Sequence, residues 1–223
     1  MNILVEACVD SVHTAVNAVA AGAGRIELCG TGDGGTTPSF GMMTRCRALV
    51  KVPMHVMIRP RSGNFVYDDN EFAVMMHDIA LAQRVGAHGV VFGVLHDDFT
   101  IDETRMRLLC DAARPMRVAC HRAFDLTPDA TEALETLLRL RVDIVLTSGH
   151  APIAVAGAAQ LAEHVRAAGN ELSIMAGGGI RAQNVLQTVS ASGVHEIHVR
   201  ATDTRVFADV VTRLALHATE KPQ

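Results

Sequence analysis

Eight short apolar runs recur along the chain, separated by longer stretches with helical periodicity. No other feature limits the fold so strongly. The runs are residues 3–8, 25–29, 54–58, 89–93, 117–121, 143–147, 172–175 and 196–199. The amphipathic stretches between them include 11–21, 69–85, 102–113, 129–140, 152–168, 182–190 and 204–218. Asp10, Asp69, Asp102 and the Thr127-Pro128 pair suit helix starts. Gly22, Gly86, Gly169 and Gly193 sit where helices should end. Strands that alternate with helices run parallel and are joined by crossovers. Eight such units in 223 residues fit a closed (β/α)8 TIM barrel better than a doubly wound open sheet. The eighth run also lacks the features that blunt an exposed edge. No linker or low-complexity tract interrupts residues 1–223, which read as one TIM-barrel domain.

Composition narrows the function. There is no Trp, only one Tyr, and a formal charge of −4 with the two signs interspersed. Such a chain offers neither a base-stacking surface nor a basic stripe, so nucleic acid is not an expected partner. Apolar runs such as GVVFGVL are too short to span a bilayer. Met1 leads directly into the first run, without a basic, cleavable segment, so the expected location is the cytoplasm. Five cysteines in that compartment do not suggest a disulfide framework.

Active sites in this fold gather at the C-terminal ends of the strands. Side chains alternate along a strand, so Glu6 and Cys8 share a face, as do Glu27 and Cys29. The residues around them, Leu4 and Val5 at Glu6 and Ile26 and Leu28 at Glu27, are aliphatic. His55, Met57, Arg59 and Arg61 form a third set, followed by His121 and Arg122, Thr147 and Ser148, and His198 and Arg200. Cys8 and Cys29 stand at the ends of adjacent strands, about 5 Å apart across the sheet. Soft Cu(I) prefers such thiolates, with Met57 and Met175 as neighbours able to approach. Free cysteines are more often small buried hydrophobes, which is the alternative here and the reading for Cys46 and Cys110 in their helical patterns. Cys120 alternates away from His121, toward the helices.

The segments EACVDS (6–11), RIELC (25–29), GGTTPS (34–39), HVMIRPRSGNFVY (55–67), GVVFGVL (89–95), CHRAFD (120–125), LTSG (146–149) and MAGGGI (175–180) resemble the CutC family of copper homeostasis proteins. The resemblance runs from the first strand to the seventh. It implies a single (β/α)8 barrel found as a homodimer or homotetramer, and Cu(I) binding through the residues matching Cys8 and Cys29. The triplet His198-Val199-Arg200 departs from the family's pattern, which commonly has a small residue where Arg200 stands.

A copper site gives the rim's charges no task. One account is a structural ion-pair ring, for example Glu27 with Arg59. The other is a TIM-barrel enzyme acting on a small phosphorylated or carboxylated metabolite. There Glu27 and His121 transfer protons, while Arg59, Arg61, Arg200 and the backbone of Gly178 and Gly179 hold the anion. The Gly177–Gly179 turn is expected to open a helix whose amides cradle a phosphate, the alternative being a tight turn. Residues 30–39 and 61–69, rich in turn formers, read as mobile mouth loops able to act as lids.

Overall fold

Alternating apolar faces close into a barrel. The structure, a computed structural model, describes residues 3–31 and 35–220. The strands are β1 (Leu4–Val9), β2 (Arg25–Leu28), β3 (Met54–Met57), β4 (Gly89–Phe92), β5 (Arg117–Cys120), β6 (Ile144–Thr147), β7 (Ser173–Gly177) and β8 (Glu196–Arg200). The helices are α1 (Val12–Ala20), α2 (Phe40–Leu49), α3 (Asp69–Arg84), α4 (Glu103–Ala113), α5 (Ala130–Arg139), α6 (Ala158–Ala168), α7 (Val185–Ser192) and α8 (Thr204–Glu220), with a 3-10 turn at Arg122–Leu126. Every strand pairs in parallel with the next, and β1 pairs with β8, so the expected closed (β/α)8 barrel is what forms. No helix among the described residues is long and apolar enough to cross a membrane.

Side chains cap several helices, with Asp102 as expected and with Ser11 and Asp68 in place of the neighbouring Asp10 and Asp69. Ser11 and Asp68 each form a reciprocal capping box, and Asp102 and Asp129 accept from first-turn amides. Helices α6 and α7 start later than their periodicity suggests. Residues 149–157 first fold back over the end of β6, where Gly157 lies against the Ser148 carbonyl with no room for a Cβ. Before α7, the Asn184 side chain accepts from Arg181 N–H and donates to the Gly179 carbonyl, which holds a turn.

Two apolar cores result. The larger lies between strands and helices and includes Ile26, Leu28, Val56, Phe92, Phe124 and Phe207. The smaller lies inside the barrel, where Cys29, Met57, Val91, Ala119, Leu146 and Met175 pack together with Cys8 against them. Glycines make room for histidines inside the barrel. A Cβ on Gly93 would lie 2.8 Å from His121 Cε1 and 2.9 Å from Nδ1. Gly89 leaves the same kind of space for His55.

Gly93→Ala should therefore cost about 1–3 kcal/mol by overpacking. Gly41→Ala, in α2 with nothing within 4 Å of the added Cβ, should gain about 0.5–1 kcal/mol from helix propensity. Urea denaturation of both variants checks this, and equal midpoints would refute the packing argument at Gly93.

Candidate metal and anion site at the barrel mouth

Strand register builds the site in tiers. Glu6 lies level with Arg25 on one side and His198 on the other, while Cys8 lies level with Glu27 and Arg200. Cys29 therefore sits a step beyond Cys8, not at its level, because barrel strands are staggered. The diagonal still brings the sulfurs to 3.9 Å. Cys29 Sγ is also 3.4 Å from Glu27 Oε2.

Below the thiols is a buried ionic network. Arg25 bonds the Glu6 carboxylate through Nε, reaches Glu196 Oε2 at 2.5 Å through Nη2, and touches Met175 Sδ at 3.1 Å. His198 Nδ1–H donates to Glu6 Oε1 at 2.8 Å, which turns Nε2 toward Glu27 Oε2, 3.7 Å away. His55 Nδ1 lies 3.7 Å from Glu6 Oε2. The expected ion-pair ring thus exists, but Arg25 carries it, and no ion pair joins Glu27 to Arg59 among the described residues.

This environment sorts the protons. Burial pushes the Glu6 carboxyl up, but the His198 hydrogen bond and the Arg25 charge outweigh it and hold Glu6 well below the usual carboxylate range. Burial opposes charge on His198 too, yet Glu27, Cys8 and Glu6 together hold its imidazole protonated well above the ordinary value. The hydrogen bond from Cys29, with help from His198, lowers Cys8, while Cys29 is raised well above a free thiol. Their contact thus pushes the two thiols in opposite directions. Burial, against the His198 charge and with Cys8 and Glu6 nearby, raises Glu27 to about 8.

One ligand atom each from Cys8, Glu27 and His198 lies within 4.8 Å of the others, a group able to hold a metal ion. The Glu6–His198 bond resembles the carboxylate–imidazole pairs that orient metal-binding histidines. Glu27 Oε1 is buried without a hydrogen-bond partner among the described residues.

The same cavity, about 520 Å³, extends to the β5–β7 side, where His121, Arg122, Gly178, Gly179 and Arg181 line it. His121 Nδ1 accepts from Ala123 N–H at 3.3 Å, and burial followed by the Arg59 charge lowers its pKa to about 3. The imidazole is neutral, so Nε2 carries the hydrogen, and that donor meets no acceptor among the described residues. His121 is thus a hydrogen-bond donor at neutral pH, which speaks against the proton-transfer role expected of it. Asp125 accepts from Thr147 Oγ1, Ser148 N–H and Arg122 Nε, holding the Arg122 side chain over Ser148.

Several expected residues fall elsewhere or act differently. β3 ends at Met57, so strand alternation does not carry on to Arg59 and Arg61. Arg59 lines the cavity and donates to the carbonyls of Gly35 at 3.2 Å and Gly63 at 2.6 Å, joining the two mouth loops. Arg61 does not line the cavity. Its guanidinium bonds Glu71 and the carbonyls of Asn64 and Val66, which removes it from the anion-binding set. Gly178 and Gly179 do line the cavity, with φ of 100° and 68°, but α7 begins only at Val185, so their turn is no helix N-terminus. Arg200 lines the mouth beside Cys8. Residues 32–34 of the first expected lid lie outside the described residues. His198 was legible as a rim residue, though not as a ligand. Its signal was its place two residues before Arg200 on a strand adjoining β1.

The profile of the CutC family matches residues 3–203. The chain belongs to the CutC family. It is 45% identical over 199 residues to a CutC family protein of Mesorhizobium japonicum, covering 89% of this chain and 77% of that protein. It is 46% identical over 203 residues to the human copper homeostasis protein cutC homolog, covering 91% of this chain and 74% of the other. The solved structure of CutC from Streptococcus agalactiae superposes with a TM-score of 0.85 at 31% identity, covering 90% of this chain and all of that one. Thiamine phosphate pyrophosphorylase from Pyrococcus furiosus superposes with a TM-score of 0.68 at 15% identity, a likeness of fold alone.

Neutral buried histidines give this CutC barrel a defined acid response. His55 and His121 titrate at about 4 and about 3 when folded, against 6.5 ordinarily. Below pH 6.5 the unfolded chain therefore binds more protons, and stability falls with pH by up to about 1.4 kcal/mol per unit for each histidine. Glu6, depressed from 4.5, adds its own loss only below that value. Between pH 6.5 and 4.5, denaturation midpoints should fall more steeply for the wild type than for His121→Gln. Parallel curves would show that the imidazole is not held neutral.

Proposed function

We propose that this CutC family protein binds Cu(I) at the barrel mouth through Cys8 and Cys29, with His198 and Glu27 completing the donor set. The observation that carries the reading is their convergence. The sulfurs are 3.9 Å apart, less than twice a thiolate–metal distance of about 2.3 Å, and Cys8, Glu27 and His198 converge within 4.8 Å. Thiolates and imidazole suit a soft monovalent ion. The names of the human and Streptococcus relatives refer to copper homeostasis, which supports the same reading. We place the protein in the cytoplasm as a single-domain homodimer or homotetramer, in line with the family resemblance.

Anaerobic titration against a competing Cu(I) chelator tests the site. Cys8→Ser/Cys29→Ser should lose high-affinity binding, and equal affinity in both proteins would reject these ligands. Glu6→Gln, which leaves every donor in place but loosens His198, should weaken binding by roughly 10–100-fold. Affinity should rise with pH, because His198 and Cys29 release protons when they ligate.

A second reading, an enzyme acting on a small phosphorylated or carboxylated metabolite, draws on Glu27. A buried carboxyl titrating at about 8 is a proton donor suited to neutral pH. Turnover of such a metabolite by the wild type and not by Glu27→Gln would establish it. The absence of any thermal shift across a panel of phosphorylated and carboxylated metabolites would remove it.

A further inference from the structure

The cavity is far larger than a metal ion requires, and its charge is unfavourable to a free cation. Among its lining residues, Arg181 and Arg200 make no ion pair with any described residue, and Asp10 is the acid that lines it beside Glu27. Arg200 stands level with Cys8 itself. A bare cation approaching the thiols must pass these guanidinium groups, whereas an anion is drawn in. Across the barrel, the buried His121 Nε2–H is a donor without an acceptor among the described residues, and a buried donor left unpaired costs about 1–3 kcal/mol. An oxygen acceptor from a ligand in the cavity would relieve that cost. Arg200 makes no ion pair with any described residue, and the Arg181 guanidinium donates only to the Ile180 carbonyl among the described residues. These two observations, the orphan donor and the surplus of positive charge, are independent of the thiols.

We propose that the mouth holds a second subsite, formed by His121, Arg181 and Arg200, for the carboxylate of a small anionic thiol. Copper then reaches Cys8 and Cys29 as the thiolate complex of that molecule, not as a free ion. The inference rests on the copper reading and adds the form in which the metal is delivered. The exchange balances without redox change. The complex [Cu(SR)2]⁻ meets the Cys8 thiolate and the Cys29 thiol. Two Cu–S bonds to the protein form and two to the carrier break. The Cys29 proton leaves on one carrier sulfur as RSH, the other carrier leaves as RS⁻, and copper remains monovalent. The carboxylate held by the arginines keeps the complex beside the sulfurs during the exchange, as charge-assisted bonds do elsewhere.

The test uses Cu(I) bound to mercaptosuccinate, a carboxylated thiol, and Cu(I) bound to 2-mercaptoethanol, which has no carboxylate. Each complex is mixed anaerobically with protein, and copper on the desalted protein is assayed over time. Wild type should load from mercaptosuccinate about tenfold faster than Arg181→Ser/Arg200→Ser, with the difference shrinking as ionic strength rises. With 2-mercaptoethanol the two proteins should differ little, and their equilibrium Cu(I) affinities should match. Arg181→Lys/Arg200→Lys should recover much of the rate. Equal loading from mercaptosuccinate by wild type and the serine variant overturns the subsite and leaves the copper reading intact. Equal loading by Cys8→Ser/Cys29→Ser and wild type overturns the copper reading instead.

Discussion

The carboxylate of Glu6 is the group on which the interior of this barrel depends. It is fully buried and charged, a costly state unless every lone pair is engaged. Arg25 from β2, His198 from β8 and His55 from β3 converge on it. One side chain on β1 thereby anchors the polar tier, orients the His198 ring and directs its other edge at Glu27. The thiols rest on this ionic floor. Removing the carboxylate would leave the Arg25 charge less well compensated and release the imidazole that faces the sulfurs.

Much of this was readable in advance, because periodicity is a direct consequence of which face is buried. The eight runs and the glycine stops map onto the observed strands and helix ends with small shifts. Alternation alone placed Glu6, Cys8, Glu27 and Cys29 inside, and the same rule applied to Arg25 would have placed it there as well. What periodicity lacks is stagger. It could not show that Cys8 stands level with Glu27, nor that Glu6 stands level with both Arg25 and His198. Alternation also fails once a strand stops. Arg59 and Arg61 lie beyond β3, so one ties two loops together and the other turns to Glu71 on α3. The glycine turn after β7 was legible as a turn, but the six-residue delay before α7 depends on Asn184 and on packing that no local pattern records.

Inside so narrow a barrel, an imidazole needs space from its neighbour. Gly89 beside His55 and Gly93 beside His121 supply it by having no side chain, so two glycines, one opening β4 and one just past its end, decide where two rings can stand. The histidines of the cavity end up in different roles. His198, among carboxylates, is charged. His121, near Arg59 and away from any acid, is neutral and donates. One residue type thus supplies both an ion and an uncharged donor within a single cavity, set by which charges lie nearby.

The bond from His198 to Glu6 joins residues 192 positions apart. A ribosome adds about 5–20 residues per second, so the two groups emerge some 10–40 seconds apart. Throughout that interval Cys8 and Cys29 exist without the imidazole and without the closing strand. The nascent chain therefore carries two ordinary thiols, and their special environment appears only when the last strand docks against the first. Ring closure therefore sets when the paired, carboxylate- and imidazole-lined surroundings of the two sulfurs come into being.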